Sequence, residues 1–76
     1  MDIYRHDEYG KYVIIKVLSN NEWKYGIVDK YNGKEYIALI CDWIAFHKNS
    51  KLIEFSIEQH SALCHIKDFE KYTSTL

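Results

Sequence analysis

Residues 23–42, WKYGIVDKYNGKEYIALICD, hold two apolar runs on either side of Asn32-Gly33. Asn and Gly both tolerate φ > 0, so the pair predicts a two-residue type I′ turn joining two antiparallel strands. Pairing outward sets Lys30 opposite Glu35, an opposite-charge pair that supports the register. Asp29 with Tyr36, Val28 with Ile37, Ile27 with Ala38, Gly26 with Leu39 and Tyr25 with Ile40 then follow.

Upstream, residues 11–18, KYVIIKVL, are β-branched and apolar, and Ser19, Asn20, Asn21 and Glu22 make a polar turn. Folding about Asn20-Asn21 places Leu18 opposite Trp23, Lys16 opposite Tyr25 and Ile14 opposite Ile27. Side-chain alternation sorts this meander into two faces. Val13, Ile15, Val17, Gly26, Val28, Ile37, Leu39 and Cys41 form an aliphatic face, expected to be the core. Tyr12, Ile14, Lys16, Leu18, Trp23, Tyr25, Ile27, Asp29, Tyr36, Ala38 and Ile40 form the other, which is aromatic and punctuated by charge. A sheet apolar on both sides must curl, be covered, or keep one face for a partner.

Residues 1–10 mix charges and read as a loop or loosely docked arm, with Tyr4, His6 and Tyr9 as contact residues. Residues 43–48, WIAFHK, continue the third strand so closely that a bend near Asp42 is expected. Residues 51–58, KLIEFSIE, alternate cleanly, and a turn at Asn49-Ser50 sets Phe46 opposite Ile53 and Ile44 opposite Phe55. From Ser61 the period lengthens: Ala62, Leu63, Ile66, Phe69 and Thr73 share one helical stripe, interrupted by Glu70, with Ser61 as N-cap. The competing reading is a sixth strand over residues 61–66 and then a helical turn; the stripe's length favours the helix. The expected fold is mainly β: a single domain over residues 1–76, a small five-stranded antiparallel curled meander or barrel with a short C-terminal helix.

With 76 residues there is room for one small core. Hydrophobic residues at 47% and charged residues at 28% are those of a globular chain rather than a disordered one. Ten basic and eleven acidic residues give a net charge of −1, which argues against both an acidic DNA mimic and a strongly basic DNA binder. No apolar run approaches the ~18 residues of a membrane span, and the polar start resembles no signal peptide. Cys41 and Cys64 lie inside apolar runs and read as free thiols of a cytoplasmic protein.

Little in the chain points to chemistry. Cys41, His47, His60 and Cys64 give the spacing C-x5-H-x12-H-x3-C, in which neither C-x2-C nor H-x3-H closes a chelate, so no metal or other cofactor is expected. Cys64 and His65 are adjacent, and on a helix their side chains would diverge by ~100°, too far for a nucleophile and its base. No glycine-rich phosphate loop, G-x-S-x-G or H-E-x-x-H occurs. The expectation is a protein that is not an enzyme.

Aromatic residues reach 16%, including seven Tyr and two Trp. Such rings dominate interfaces, so the expected function is non-catalytic protein–protein interaction. Tyr12, Lys16, Trp23, Tyr25, Tyr36 and Trp43 are the candidate partner-binding residues. A short chain opening on methionine reads as a complete small gene product, monomeric or homodimeric, that inhibits or modulates a larger protein; an antagonist encoded by a phage or other mobile element is one form, by analogy of class. The alternative is a small single-strand nucleic-acid-binding barrel that stacks bases on the aromatic face, with Asp29 on that face and the lack of basic excess against it.

Overall fold

A computed structural model describes residues 2–74. Four strands, β1 (Ile3–Tyr9), β2 (Tyr12–Ser19), β3 (Glu22–Asp29) and β4 (Glu35–Cys41), form one antiparallel sheet in sequence order. Three more, β5 (Trp43–His47), β6 (Leu52–Ile57) and β7 (His60–His65), form a second antiparallel sheet. A 3-10 turn at Ile66–Asp68 and a short helix α1 (Phe69–Thr73) end the described chain. The two sheets pack face to face and do not close into a barrel; α1 contacts both β4 and β7. Among the described residues no helix is long and apolar enough to cross a membrane.

The bend falls at Asp42, between β4 and β5. Its N–H donates to the Ser56 carbonyl at 2.7 Å, while its carboxylate accepts from Lys24 Nζ at 3.2 Å and from the Gln59 N–H at 3.3 Å. One side chain thus ties β3, the corner and the β6–β7 turn together. The β2–β3 and β5–β6 registers run as expected, with Ile14 opposite Ile27, Leu18 opposite Trp23 and Ile44 opposite Phe55.

The strand count is seven, not five. Residues 3–9, expected as an arm, are the edge strand β1, whose charges are tolerated because an edge strand keeps much of its surface wet. The helix expected from Ser61 gives way to the competing reading: His60–His65 form a strand, β7, and only Phe69–Thr73 are α-helical. The cause is a two-residue turn at Glu58-Gln59, both at positive φ (50° and 70°), which sends the chain back along β6 with Ile57 opposite His60. Phe69 keeps its place in the helical stripe and is fully buried.

The Asn32-Gly33 turn is present but is not type I′: Gly33 has φ 73°, and Asn32 is not among the positive-φ residues. Asp29 organises it instead. Its N–H donates to the Lys34 carbonyl at 2.7 Å, its carbonyl accepts from the Gly33 N–H, and its carboxylate accepts from the N–H groups of Tyr31 (2.8 Å) and Asn32 (3.1 Å). This longer loop slips the β3–β4 register, so Ile27 pairs with Ile37 and, beyond a bulge, Tyr25 pairs with Cys41.

That slip decides the core. A one-residue shift moves a strand's side chains to the opposite face. Ile37 and Cys41 join Tyr12, Ile14 and Ile27 against Ile44, Ile53, Phe55 and Phe69. On β2 and β3 the aromatic face is therefore the inner one, reversing the expected assignment there, while Ile37 and Cys41 of β4 are core as expected. Val13 and Val17 are buried as well, but on the outer side and outside that cluster.

Candidate functional site

The inner face of the larger sheet is not covered along its whole length. The overhang lies at the Ser19–Glu22 turn, where Asn20 and Asn21 both have positive φ, at 52° and 65°, and hold a tight hairpin.

Along the inner face burial falls in steps. Tyr12, Ile14 and Ile27 are buried, Lys16 and Tyr25 half-buried, and Leu18 and Trp23 exposed at 50% and 38%. Tyr4, opposite Lys16 on β1, shares that face and is 48% exposed. Its ring meets the edge of Trp23 at 5.9 Å between centroids, and the Lys16 ammonium sits 4.6 Å from the Trp23 centroid. His6, at the β1 bulge, contacts Tyr25 edge-on at 5.3 Å. The overhang is thus a preassembled aromatic shelf with one lysine laid across it.

Polar groups differ between the two ends. At the covered end the Tyr12 hydroxyl donates to Glu70 at 3.0 Å and the Tyr36 hydroxyl donates to Asp29 at 2.8 Å. Burial, and then the hydrogen bond to a carboxylate, pushes both phenols upward in pKa. Glu70 is held below its usual range by Lys11 and then by Tyr12. At the shelf the Tyr4 hydroxyl and the Trp23 indole N–H have no hydrogen-bond partner among the described residues.

Of the residues expected to bind a partner, Lys16 and Trp23 come together, with Tyr25 behind them. Tyr12 and Tyr36 stand at the opposite end, packed on each other at 5.1 Å and on Phe69. Trp43 opens β5, 40% exposed, and alternates with the inward Ile44 on the second sheet. Tyr4 and Leu18 complete the shelf and were not among those residues. Leu18 was legible from its pairing with Trp23; Tyr4 was expected as a contact residue of a loose arm, and its place on a paired strand was not.

Other features offer less. Cys41 is a buried free thiol pushed up to about 11 by burial and then by Asp42, and Cys64 is half-buried. Among the described residues no three His, Cys, Asp or Glu side chains gather as metal ligands. An apolar groove of about 440 Å³ between the β4 bulge and α1 is lined by Tyr36, Ile37, Ala38, Ile40, Ile57 and Thr73 and holds no convergent charged group. Compared with protein-family models, with curated proteins and with solved structures, the chain matches none.

Proposed function

We propose that this chain is a non-catalytic protein-binding module that inhibits or modulates a larger protein, and that it binds through the shelf of Tyr4, Lys16, Leu18 and Trp23. The observation that carries the reading is the overhang itself. Elsewhere exposed large apolar side chains such as Tyr31, Leu63 and Ile40 fall on different elements, whereas here two aromatic rings and a leucine share one uncovered face. Aromatic residues with a free donor, held rigid on paired strands, are the side chains that anchor interfaces at low entropic cost. The same rings would serve a single-strand nucleic-acid binder, but one lysine makes no basic strip along which a phosphate backbone could run. The free thiols accord with a reducing compartment such as the cytoplasm.

Trp23→Ala tests the proposal. The substitution removes one edge-to-face ring contact, ~0.5–1.5 kcal/mol, one exposed cation–π contact, ~0.5–1 kcal/mol, and the buried part of a ring that is 38% exposed, so a thermal melt verifies the variant's fold before capture. As an interface anchor Trp23 would supply ~2 kcal/mol or more of binding, about thirtyfold in Kd. Tagged wild-type and variant chains are used to capture partners from host extract with and without nuclease. A protein held by wild type, resistant to nuclease and lost from a folded Trp23→Ala is the expected result. Equal capture by both chains, or a nuclease-sensitive partner, would overturn it.

A further inference from the structure

The charges around the shelf are not balanced. Of the neighbouring acids, Asp7 bonds Lys48 at 3.1 Å, and Asp42 bonds Lys24 at 3.2 Å, with Glu22 reaching the same lysine at 3.8 Å. Glu8 is engaged by Arg5 and Lys30, both at 3.4 Å. Lys16 has no carboxylate among the described residues; its one polar or aromatic contact there is the Trp23 face. It is also half-buried, with its ammonium over the ring. The other lysines without an acidic partner (Lys34, Lys51, Lys67 and Lys71) are all exposed. The other basic side chain beside this face is His6, whose ring meets Tyr25.

Taking the protein-binding reading as its basis, we infer that the shelf recognises a carboxylate flanked by apolar side chains, with Lys16 meeting the acid and Tyr4, Leu18 and Trp23 meeting its apolar neighbours. An ammonium that lies beside an aromatic ring and lacks a counter-ion can receive a carboxylate in a charge-assisted hydrogen bond, while apolar neighbours of that acid bury against the rings. A second copy of this chain is an alternative occupant that the test below distinguishes, since Asp2, exposed and outside the ion pairs of the described residues, directly precedes β1. A polyphosphate backbone is a poor match, since it needs several cations in line and the shelf offers one lysine.

The test uses the full chain, isotope-labelled, and three peptide pools built as the same mixture of Leu, Ile, Val and Phe around a central Glu, Gln or Lys. Titrations follow the Trp23 indole N–H and the backbone amides of Tyr4, Lys16 and Leu18. The expected result is saturation of these resonances by the Glu pool at least fivefold below the concentration the Gln pool requires, with the Lys pool weakest. Lys16→Met keeps an unbranched side chain beside Trp23, and there the Glu and Gln pools should become equivalent; a thermal melt verifies its fold. Equal titration by the Glu and Gln pools on wild type overturns the carboxylate inference and leaves the protein-binding reading standing. No shift on the shelf from any pool, with tighter and steeply salt-dependent shifts from an oligothymidylate, overturns both. A dimer formed through the shelf in sedimentation of the unliganded chain overturns the inference as well.

Discussion

Gly26→Ala offers the sharpest test of how this core is assembled. A Cβ placed on Gly26 would lie 2.6 Å from the Ile37 carbonyl oxygen and 3.0 Å from the Ala38 carbonyl carbon and oxygen. All three are backbone atoms, so no side chain can swing aside. They approach because β4 bulges there: between the pairs Ile27–Ile37 and Tyr25–Cys41, β3 supplies Gly26 alone while β4 supplies Ala38, Leu39 and Ile40. Relieving the contact means moving β4 outward from 2.6 Å to an ordinary 3.4 Å, and β4 carries Ile37 and Cys41, which are 3% and 0% exposed. Overpacking of this kind costs ~1–3 kcal/mol, and backbone rigidity places it at the upper end, ~2–3 kcal/mol. A domain of this size has a total stability of ~4–11 kcal/mol. At ~4–8 °C per kcal/mol, Tm should fall by about 10–20 °C in a circular-dichroism melt. Gly33 is the control: beyond its chain neighbours no atom lies within 4 Å of where a Cβ would stand, but its φ is 73°. Gly33→Ala should therefore cost only ~1 kcal/mol and be partly rescued by Asn, which tolerates that conformation. Asn should bring no rescue at Gly26. A Gly26→Ala chain melting within about 3 °C of wild type, against the ~4–8 °C that even 1 kcal/mol would produce, would refute the bulge contact and the register that depends on it.

The remaining predictions concern the covered end of the inner face. Phe69→Ala empties a fully buried site that touches Tyr12 and Tyr36, and should cost ~3–5 kcal/mol, read as a large fall in the urea midpoint at 25 °C. Asp29, Asp42 and Glu70 all have folded pKa values below their ordinary ones: Asp29 through the Tyr31 N–H and then Tyr36, Asp42 through the Gln59 N–H and then Lys24, Glu70 through Lys11 and then Tyr12. A depressed carboxylate stabilises fully above its unfolded value and loses that contribution as pH falls through its folded value. Melting temperature should therefore hold above the ordinary carboxylate values of 3.8 and 4.5 and decline below them, with a shallower decline in Glu70→Gln.

Much of this architecture was readable from residue pattern, and the errors have local causes. Where the turn chemistry was plain, as at Asn20-Asn21, every β2–β3 pair followed correctly. Asp42 was identifiable as a corner because fifteen residues of unbroken strand pattern, 34–48, exceed what one strand spans. Asn32-Gly33 misled because Asp29, three residues earlier, captures the Tyr31 and Asn32 amides and lengthens the loop. An Asx-type cap of this kind competes with the two-residue turn, and nothing in the dipeptide shows which will win. Glu58-Gln59 escaped notice because neither residue is a usual choice for positive φ. With that turn unseen, the apolar spacing from Ala62 to Thr73 had only a helix to belong to.

The inversion of the faces bears directly on function. A surface rich in Tyr looks like one kept for a partner, yet tyrosine is also the ring most easily buried when a carboxylate can receive its hydroxyl. Asp29 and Glu70 provide that at one end of the sheet, so Tyr12 and Tyr36 become core despite their polar tips. At the other end Tyr4 and Trp23 point the same way across the same sheet, exposed and with no hydrogen-bond acceptor for either among the described residues. The difference between core and shelf therefore lies less in the rings than in what the second sheet brings within reach. At the shelf, among the described residues, it brings no carboxylate to Lys16, whose ammonium is left against the Trp23 ring.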